Sequence, residues 1–547
     1  MPTVLLAVSR ITPQLVFNGA MTGLVIGLLA MGIVLVYRST KVINFAVGNM
    51  GIVGASLFAL MVINYDFPFW IAVVLALVVG TLWGAVIELT GVRRLFTAPR
   101  VILLVATVGV AQLCRAIIGA YPDIDASGGE RYPVAMGTTW EGVLEGVPIT
   151  ENQLWTLLAV PVAITLLGRL LTRTNAGSKM LPASVSVRQT WAGVTIAVIV
   201  VAAFVMAAFS GGAANEAGLR VAGPQLAILL VAPLVAIGLG LLLNRTTFGK
   251  AVTASADNPD LSRLSGVNPK TVSTAVWTIA GFVATLSMIL LSGQGGSLAG
   301  LENLGPLTLA RAMVAAVLAG MVSFPRAVIA GLYIGIIEAV LRFNFLSDPG
   351  LIDFVLFVAV LLAVYFQSRG SQDEGVFAFA PKVRPVPDQL RELWWVRHLS
   401  HLVIGVGLAI ALVLPLIVTL PSRHLLYATI LCFAVCASSL TVITGWSGQL
   451  SLSQMTFAGL GALTAAALNR GLEMDVWIID FEAPALPFVL SMLLASIIVA
   501  GLAAFIGLGA LRVRGLMLAV TTFVFAIAAQ QYIFRLPIFS DGNTSSV

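Results

Sequence analysis

Two short polar stretches inside otherwise apolar sequence contain the side chains best placed to contact a solute. Residues 42–55 read VINFAVGNMGIVGA and residues 449–462 read QLSLSQMTFAGLGA, so a shift of 407 positions aligns Asn44 with Ser451. Amides and hydroxyls at membrane depth cost free energy unless they pack inside protein or line a cavity. Such side chains bind solutes through reversible polar contacts, without covalent chemistry. The recurrence therefore predicts two related halves with a site between them.

The residues that we assign to the substrate pathway or gate are Asn44, Phe45, Gly48, Asn49, Ser451, Ser453, Gln454 and Thr456. Close helix packing is the competing interpretation, because small residues let transmembrane helices approach each other. Packing is favoured for Gly48 on this ground. For Asn44, Asn49 and Gln454 both interpretations stay open, because polar side chains in a bilayer need partners.

The other reactive side chains have no catalytic or metal-binding spacing. His398 and His401 lack a nearby carboxylate or thiolate pair, and His424 is predicted in an outside turn. The three cysteines lie in apolar runs without metal-site spacing. Residues 249–252, GKAV, lack the hydroxyl residue that follows lysine in a phosphate-binding P-loop. We therefore expect a chain that is not an enzyme and has neither a metal site nor a cofactor of its own.

Acidic residues are sparse inside the predicted spans. Glu338 precedes Arg342 by four residues, which predicts an ion pair along one helix face. Glu88 lies near a helix end, where Arg93 and Arg94 can neutralise it. A transporter coupled to protons or sodium usually has more intramembrane charge. An ion-coupled secondary transporter or channel is therefore the alternative function rather than the leading one.

The composition indicates a membrane protein. The chain is 59% hydrophobic and 10% charged, with a mean hydropathy of +1.02, whereas soluble domains are about 25% charged. Of the alternate loops, one set contains 18 Lys and Arg and the other contains Arg10, Arg131 and Arg220. The positive-inside rule then places the N-terminus outside and residues 368–397 in the cytoplasm. The net charge of +6 reflects these loops rather than nucleic-acid binding.

Apolar runs of about 20 residues predict an all-α, polytopic integral membrane protein with two related transmembrane halves. Residues 1–367 form the first half, 368–399 a cytoplasmic linker and 400–547 the second half. The predicted helices of the first half are 13–37, 45–62, 70–90, 101–120, 155–172, 189–209, 225–243, 271–291, 308–322, 327–343 and 352–367. Those of the second half are 400–420, 427–443, 455–468, 487–509 and 516–535. Residues 91–112 also pair loosely with 511–530, each with a central threonine, Thr107 or Thr521/Thr522.

The cytoplasmic loop 244–270 is the most informative segment outside the spans. Residues 253–257 favour a helix, Asn258-Pro259 breaks it, and 261–264 form a second turn ended by Gly266. Apolar residues such as Leu261 and Leu264 lie among polar ones. This amphipathic pattern suits a short helix that docks into a groove of a cytoplasmic partner.

Several segments together resemble the permease subunits of ABC importers of the branched-chain amino acid type. They are VINFAVG (42–48), GKAVTASADNPDLSRLSGVN (249–268), LAGMVSFPRAVIAGLYIGIIE (318–338), GQLSLSQMTFAGLGA (448–462) and LRVRGLMLAVTT (511–522). The resemblance covers nearly the whole chain in order. It implies two distinct permease subunits fused in one polypeptide, as two related transmembrane permease halves.

The resemblance also implies partners and a mechanism. It implies two cytoplasmic ABC ATPase subunits, which bind ATP and Mg²⁺, an extracytoplasmic solute-binding protein and surrounding membrane lipid. It implies alternating access in a prokaryotic inner membrane, for branched-chain amino acids or related small polar solutes. Other amino acids, short amides and urea stay open as solutes. For the ATPase-coupling loop, the resemblance implies Gly249, Ala254, Gly266 and Val267, and the amphipathic pattern adds Leu261 and Leu264.

The chain departs from the family pattern in several places. Thr253 and Ser262 replace an arginine and an alanine in the coupling loop, and Val47 and Asn49 replace a histidine and an acid. Ser453-Gln454 stands where Gly-His is common. Residues 150–210 are predicted to add a helix pair of unassigned role. The second half is expected to lack a coupling loop and later helices, which leaves open whether the chain forms one full pathway or dimerises.

Overall fold

The architecture is a bundle of transmembrane helices, seen in a computed structural model. Among the described residues, nine helices are long and apolar enough to cross a membrane, and the single sheet is one short hairpin. The predicted all-α, multi-pass class is confirmed. The structure describes residues 12–95, 98, 100–120, 132–134, 221–295, 301–346, 348–366, 393–418, 420–446, 449–476, 479–510 and 516–539.

The first half contains eleven described helices, of which two form the loop at 244–270. They are α1 (Pro13–Thr40), α2 (Val47–Ile63), α3 (Phe69–Thr90), α4 (Arg100–Gly119), α5 (Gly223–Arg245), α6 (Thr247–Asp257), α7 (Pro259–Leu264), α8 (Pro269–Gly295), α9 (Leu301–Leu318), α10 (Phe324–Asn344) and α11 (Leu351–Phe366). A 3₁₀ turn follows α3 at Val92–Leu95.

The second half contains five long described helices and a hairpin. After the one-turn α12 (Trp394–Arg397) come α13 (Leu399–Ile417), α14 (Pro421–Thr441), α15 (Gln454–Arg470), β1 (Leu472–Val476), β2 (Ile479–Ala483), α16 (Phe488–Ala510) and α17 (Leu516–Gln531). A π-helical turn follows α14, and two 3₁₀ turns follow α17. The antiparallel strands pair Leu472 with Ala483.

Most predicted helices are present with shifted ends. Helix α9 begins at Leu301, seven residues before the predicted start, because the backbone stays helical through polar residues that the hydropathy pattern assigned to a loop. His424 lies in the first turn of α14 rather than in an outside turn. The predicted helices 155–172 and 189–209 and nearly all of the linker lie outside the described residues.

Helix α1 lies at the centre of the first half and packs most extensively against α10 and α8. Thr12 caps its start by accepting a bond from the Leu15 amide. Gly23 faces Gly331 and Gly335 of α10, where an added Cβ would overlap the opposing backbone. Small residues of this kind allow the close helix contact that stabilises packing in lipid.

The two halves meet where α17 packs against α11 and α9. Aromatic contacts line this seam, with Phe357 against Phe525 at 5.1 Å and Phe354 against Tyr532 at 5.3 Å between ring centroids. An added Cβ on Gly350 would overlap the Gln531 backbone. The halves therefore contact each other directly, through a buried interface.

Candidate functional site

The first polar stretch is a break between α1 and α2 that side chains stabilise. Helix α1 ends at Thr40, and the C-cap residue Lys41 has a left-handed backbone with φ 55°. Asn44 Oδ1 accepts a hydrogen bond from the Ala46 amide at 2.9 Å, and the Phe45 amide donates to Thr107 Oγ1 at 3.2 Å. The Thr107 hydroxyl in turn donates to the Leu104 carbonyl. Backbone groups that the helices leave unpaired are thus satisfied inside the protein.

The second polar stretch has the same arrangement before α15. Ser451 Oγ accepts from the Ser453 amide at 3.4 Å, and the Leu452 amide donates to Thr522 Oγ1 at 3.0 Å. Thr522 also donates back to the Leu518 carbonyl of its own helix. A shift of 407 positions maps Asn44, the first acceptor, onto Ser451. The two breaks are therefore the same structural motif, each closed by a threonine from a neighbouring helix.

Helix α17 contacts both breaks through consecutive residues. Thr522 bonds the Leu452 amide of the second break, and Phe523 packs edge-on against Phe45 of the first break with ring centroids 5.2 Å apart. Phe45 is buried, and so is the hydrogen bond from its backbone amide to Thr107. The tertiary structure thus brings residues more than 400 positions apart in sequence to one region of the seam.

The other assigned residues of the first stretch lie buried against α9. A Cβ on Gly48 would overlap the Gly305 carbonyl, which is close packing of the kind that residue type favoured. Asn49 is also buried and faces Gly305, and its Oδ1 has no hydrogen-bond partner in the described structure. Asn44 Nδ2 lies 3.4 Å from Met50 Sδ. Asn49 is thus the side chain of this stretch with unused bonding capacity.

The assigned residues of the second stretch lie at the start of α15. Ser451 and Ser453 are buried with their hydroxyl oxygens 3.1 Å apart. Gln454 is half-buried, and its Oε1 accepts a bond from Ser439 of α14 at 3.2 Å. Thr456 is buried in the first turn of α15. The start of α15 thus places hydroxyl and amide groups near the break that α17 contacts.

The loop between α5 and α8 forms two short helices at one membrane boundary. Thr246 caps α6, and a Cβ on Gly249 would overlap the Leu243 carbonyl, so only glycine fits there. Asn258 caps α7 by accepting bonds from two amides, and Gly266 closes it in the left-handed region at φ 82°. The predicted order of helix, break, turn and glycine is confirmed.

The amphipathic pattern of this loop leaves two leucines on its surface. Ser255 and Ser262 face inward with hydroxyl oxygens 3.3 Å apart, which joins α6 to α7. Leu261 and Leu264 are 60% and 86% exposed. Among the other assigned coupling residues, Ala254 and Gly266 are exposed and Val267 is half-buried. The loop therefore presents two large apolar side chains, three residues apart, on its surface.

The sequence pattern missed a buried ion cluster in the first half. Arg311 of α9 lies 2.6 Å from the Glu338 carboxylate of α10 and 3.7 Å from the Asp353 carboxylate of α11. The predicted Glu338–Arg342 pair is present at 3.4 Å, but this distance is longer than the 2.6 Å between Glu338 and Arg311. Arg311 lies within an apolar helix, and a count of loop charges overlooks it. A search for basic residues inside predicted spans would have found it.

The predicted neutralisation of Glu88 by Arg93 and Arg94 is wrong. Glu88 is fully buried, and its Oε2 accepts a hydrogen bond from Thr274 of α8 at 2.7 Å. Arg93 and Arg94 lie in the exposed 3₁₀ turn after α3. Glu88 points into the contact between α3 and α8, away from those arginines.

The histidines show no metal-binding geometry in the described part of the chain. The His398 and His401 rings lie 6.3 Å apart, and His398 Nδ1 bonds the Trp394 carbonyl at 2.9 Å. No group of three potential ligands lies together among the described residues. A position of both side chains at the membrane interface stays a prediction.

Comparison with known proteins identifies the family. Residues 15–215, 215–365 and 402–546 match the family described as branched-chain amino acid transport system / permease component. The branched-chain amino acid permease LivH of Escherichia coli is 24% identical over 365 residues, which are 64% of this chain and 93% of LivH. No solved structure matches the chain.

Two further relatives match over shorter segments. The branched-chain amino acid permease BraD of Pseudomonas aeruginosa is 31% identical over 128 residues, 23% of this chain and 41% of BraD. The galactose/methyl galactoside permease MglC of Haemophilus influenzae is 34% identical over 120 residues, 22% of this chain and 34% of MglC. The chain thus spans less than half of either relative. The family matches, which lie on both sides of the linker, nevertheless cover most of the chain. The chain therefore belongs to the family of branched-chain amino acid transport system permease components, with two related permease halves in one polypeptide.

Proposed function

We propose that this chain forms the solute pathway of an ATP-driven importer that works by alternating access. The observation that carries the proposal is the paired break at Asn44–Ala46 and Ser451–Ser453, brought together by α17. In transporters, substrate sites lie at repeat interfaces where helices are interrupted. Asn49, Ser451 and Gln454 then offer amide and hydroxyl groups to a small polar solute beside the seam.

Energy would enter through the loop helices α6 and α7. The exposed Leu261 and Leu264 suit a groove on a cytoplasmic ATPase, because an amphipathic helix binds through such anchors. Two ATPase subunits, which hold ATP and Mg²⁺, would close on each other and move this loop. At Gly249, where only glycine fits, α6 packs directly against the backbone of α5. This close contact would transmit the movement of α6 to α5.

The distribution of basic residues supports one orientation. With the N-terminus outside, α6, α7 and residues 368–397 lie in the cytoplasm of a prokaryotic cell with the chain in its inner membrane. The opposite face then receives solute from a separate binding protein. The names of LivH and BraD specify branched-chain amino acids, which are therefore the first solutes to test. The name of MglC specifies galactose, which is the first solute to test outside that class.

The test is uptake of labelled leucine into proteoliposomes that contain the chain with its genomically adjacent ATPase subunits and binding protein. Uptake should require ATP, and Leu264→Glu should abolish it while leaving the fold intact. Leu346→Glu is the matched control, since Leu346 is 80% exposed and, in the proposed topology, lies at the membrane boundary opposite to α7. It should retain ATP-dependent uptake.

Two results would refute the proposal. Uptake that follows an ion gradient and survives ATP depletion would establish the alternative, an ion-coupled secondary transporter or channel. Failure to take up any amino acid, amide, urea or sugar with all components present would exclude import. Equal loss in Leu264→Glu and Leu346→Glu would refute the assignment of α7 as the coupling element.

A further inference from the structure

A groove of about 490 Å³ lies where α5, α6 and α8 meet. It is formed by the end of α5, the first turn of α6 and one face of α8, and is lined by Leu242, Phe248, Thr271, Thr274, Ala275, Thr278 and Ile279. From Thr271 to Ile279 the helix rises about 12 Å. Helix α8 starts at Pro269 and is long and apolar enough to cross a membrane, so we place the Thr271 end of the groove at the membrane boundary.

The groove is apolar although it contains three threonines. Thr274 donates its hydroxyl to Glu88, with the Lys270 carbonyl also within hydrogen-bond distance, and Thr278 donates to the Thr274 carbonyl. Hydroxyls that are bonded inside the protein leave their methyl groups to face outward. A hydrocarbon chain suits this surface better than a polar solute does.

Three basic residues lie within three positions of groove-lining residues in sequence. Arg245 follows the α5 lining, Lys250 follows Phe248, and Lys270 precedes Thr271. Arg245 and Lys250 are exposed, Lys270 is half-buried, and none of the three belongs to an ion pair recorded in the described part of the chain. A phosphate at the membrane surface would give them a counter-charge.

We propose that an anionic phospholipid binds here, with one acyl chain in the groove and its phosphate beside Lys250, Lys270 and Arg245. Basic pockets beside transmembrane helices on the cytoplasmic side select anionic headgroups in this way. Only the assignment to the cytoplasmic leaflet rests on the proposed orientation. The lipid would contact α6 through Phe248 and α8 through Thr274. It would therefore stabilise the packing of α6 against α8, next to the hydrogen bond between Thr274 and Glu88.

The proposal can be tested by native mass spectrometry of the purified chain in detergent, without ATPase or solute. The probes are dioleoyl phosphatidylglycerol and dioleoyl phosphatidylcholine, which share acyl chains and differ in net charge. One phosphatidylglycerol should bind tightly. In Lys250→Gln/Lys270→Gln its affinity should fall about 30-fold, because each basic residue near an anionic surface contributes roughly a fivefold preference.

Two further variants separate the groove from general surface charge. Ala275→Trp fills the groove and should remove the tight lipid while leaving both lysines. Arg326→Gln removes an exposed basic residue of α10 and should leave phosphatidylglycerol binding unchanged. Circular dichroism and gel filtration of each variant establish that it is folded.

Several results would overturn the proposal. They are equal binding of the two lipids, unchanged affinity in the double lysine variant, or full displacement by glycerol phosphate, which would indicate a free-anion site. A change from dimer to monomer in Ala275→Trp would instead mean that a second copy of the chain occupies the groove. Because no transport is measured, these outcomes are independent of the proposed function.

Discussion

Replacement of Arg311 by glutamine tests how much the buried ion cluster contributes to the bundle. The Arg311 side chain is 12% exposed and those of Glu338 and Asp353 are 7% and 6% exposed. Without Arg311, Asp353 loses its nearest recorded cation, and Glu338 keeps only Arg342, whose side chain is 65% exposed. The substitution therefore leaves buried carboxylates without adequate compensation.

The expected loss in the free energy of unfolding is about 3–5 kcal/mol, the usual cost of removing one partner from a buried ion pair. The same carboxylate offers a matched control. Arg342→Gln removes an exposed partner of Glu338 and should cost about 0–1 kcal/mol, because solvent screens exposed pairs. The two substitutions thus share chemistry and partner and differ in burial.

Reversible unfolding in mixed micelles with increasing dodecyl sulfate measures both losses, with helix content followed by circular dichroism. The triple variant Arg311→Met, Glu338→Gln, Asp353→Asn removes the buried charges of this cluster and should recover part of the stability lost in Arg311→Gln. Equal losses in Arg311→Gln and Arg342→Gln, or no loss in the former, would refute the argument that burial makes this cluster essential.

Two further predictions concern packing and the breaks. Thr107→Val and Thr522→Val should each lower the free energy of unfolding by about 1 kcal/mol, because a backbone amide of a break loses its hydrogen-bond partner. The control is Thr429→Val, whose hydroxyl bonds only within its own exposed helix. It should lower the free energy of unfolding by less in the same assay. Gly335→Ala should destabilise by roughly 1–3 kcal/mol because its methyl group overlaps the α1 backbone, while Gly407→Ala, with open space around it, should be neutral or slightly stabilising by thermal unfolding. Equal effects of the two alanine substitutions would contradict the close α1–α10 contact.

The breaks show how local sequence and tertiary structure divide the information. The stretch around Asn44 is predictable because a polar, glycine-rich segment between apolar runs has few ways to exist in a membrane. Its likeness to the stretch around Ser451 is also readable as a repeat. The closing bonds from Thr107 and Thr522 depend on which helices pack beside each break, and a loose alignment of two apolar helices left the choice between Thr521 and Thr522 open.

Charges inside the spans were harder to place. The Glu338–Arg342 spacing predicts a pair within one helix, but Arg311 reaches Glu338 from another helix at a shorter distance. Glu88 likewise bonds Thr274 of α8 rather than the arginines that follow it in sequence. Such partners are set by helix rotation and packing, which periodicity in one segment does not specify.

The sequence by itself determined that this protein lies in a membrane and where most of its described helices lie. It also determined the repeat and the order of helix, break and turn in the loop at 244–270. These follow from hydrocarbon length, side-chain period and the few residues that can cap or end a helix. Only the tertiary structure decided that α17 contacts both breaks through Thr522 and Phe523, and that Asn49 faces Gly305. Those contacts join residues far apart in the chain, and their free energy depends on the mutual fit of surfaces that no single segment contains.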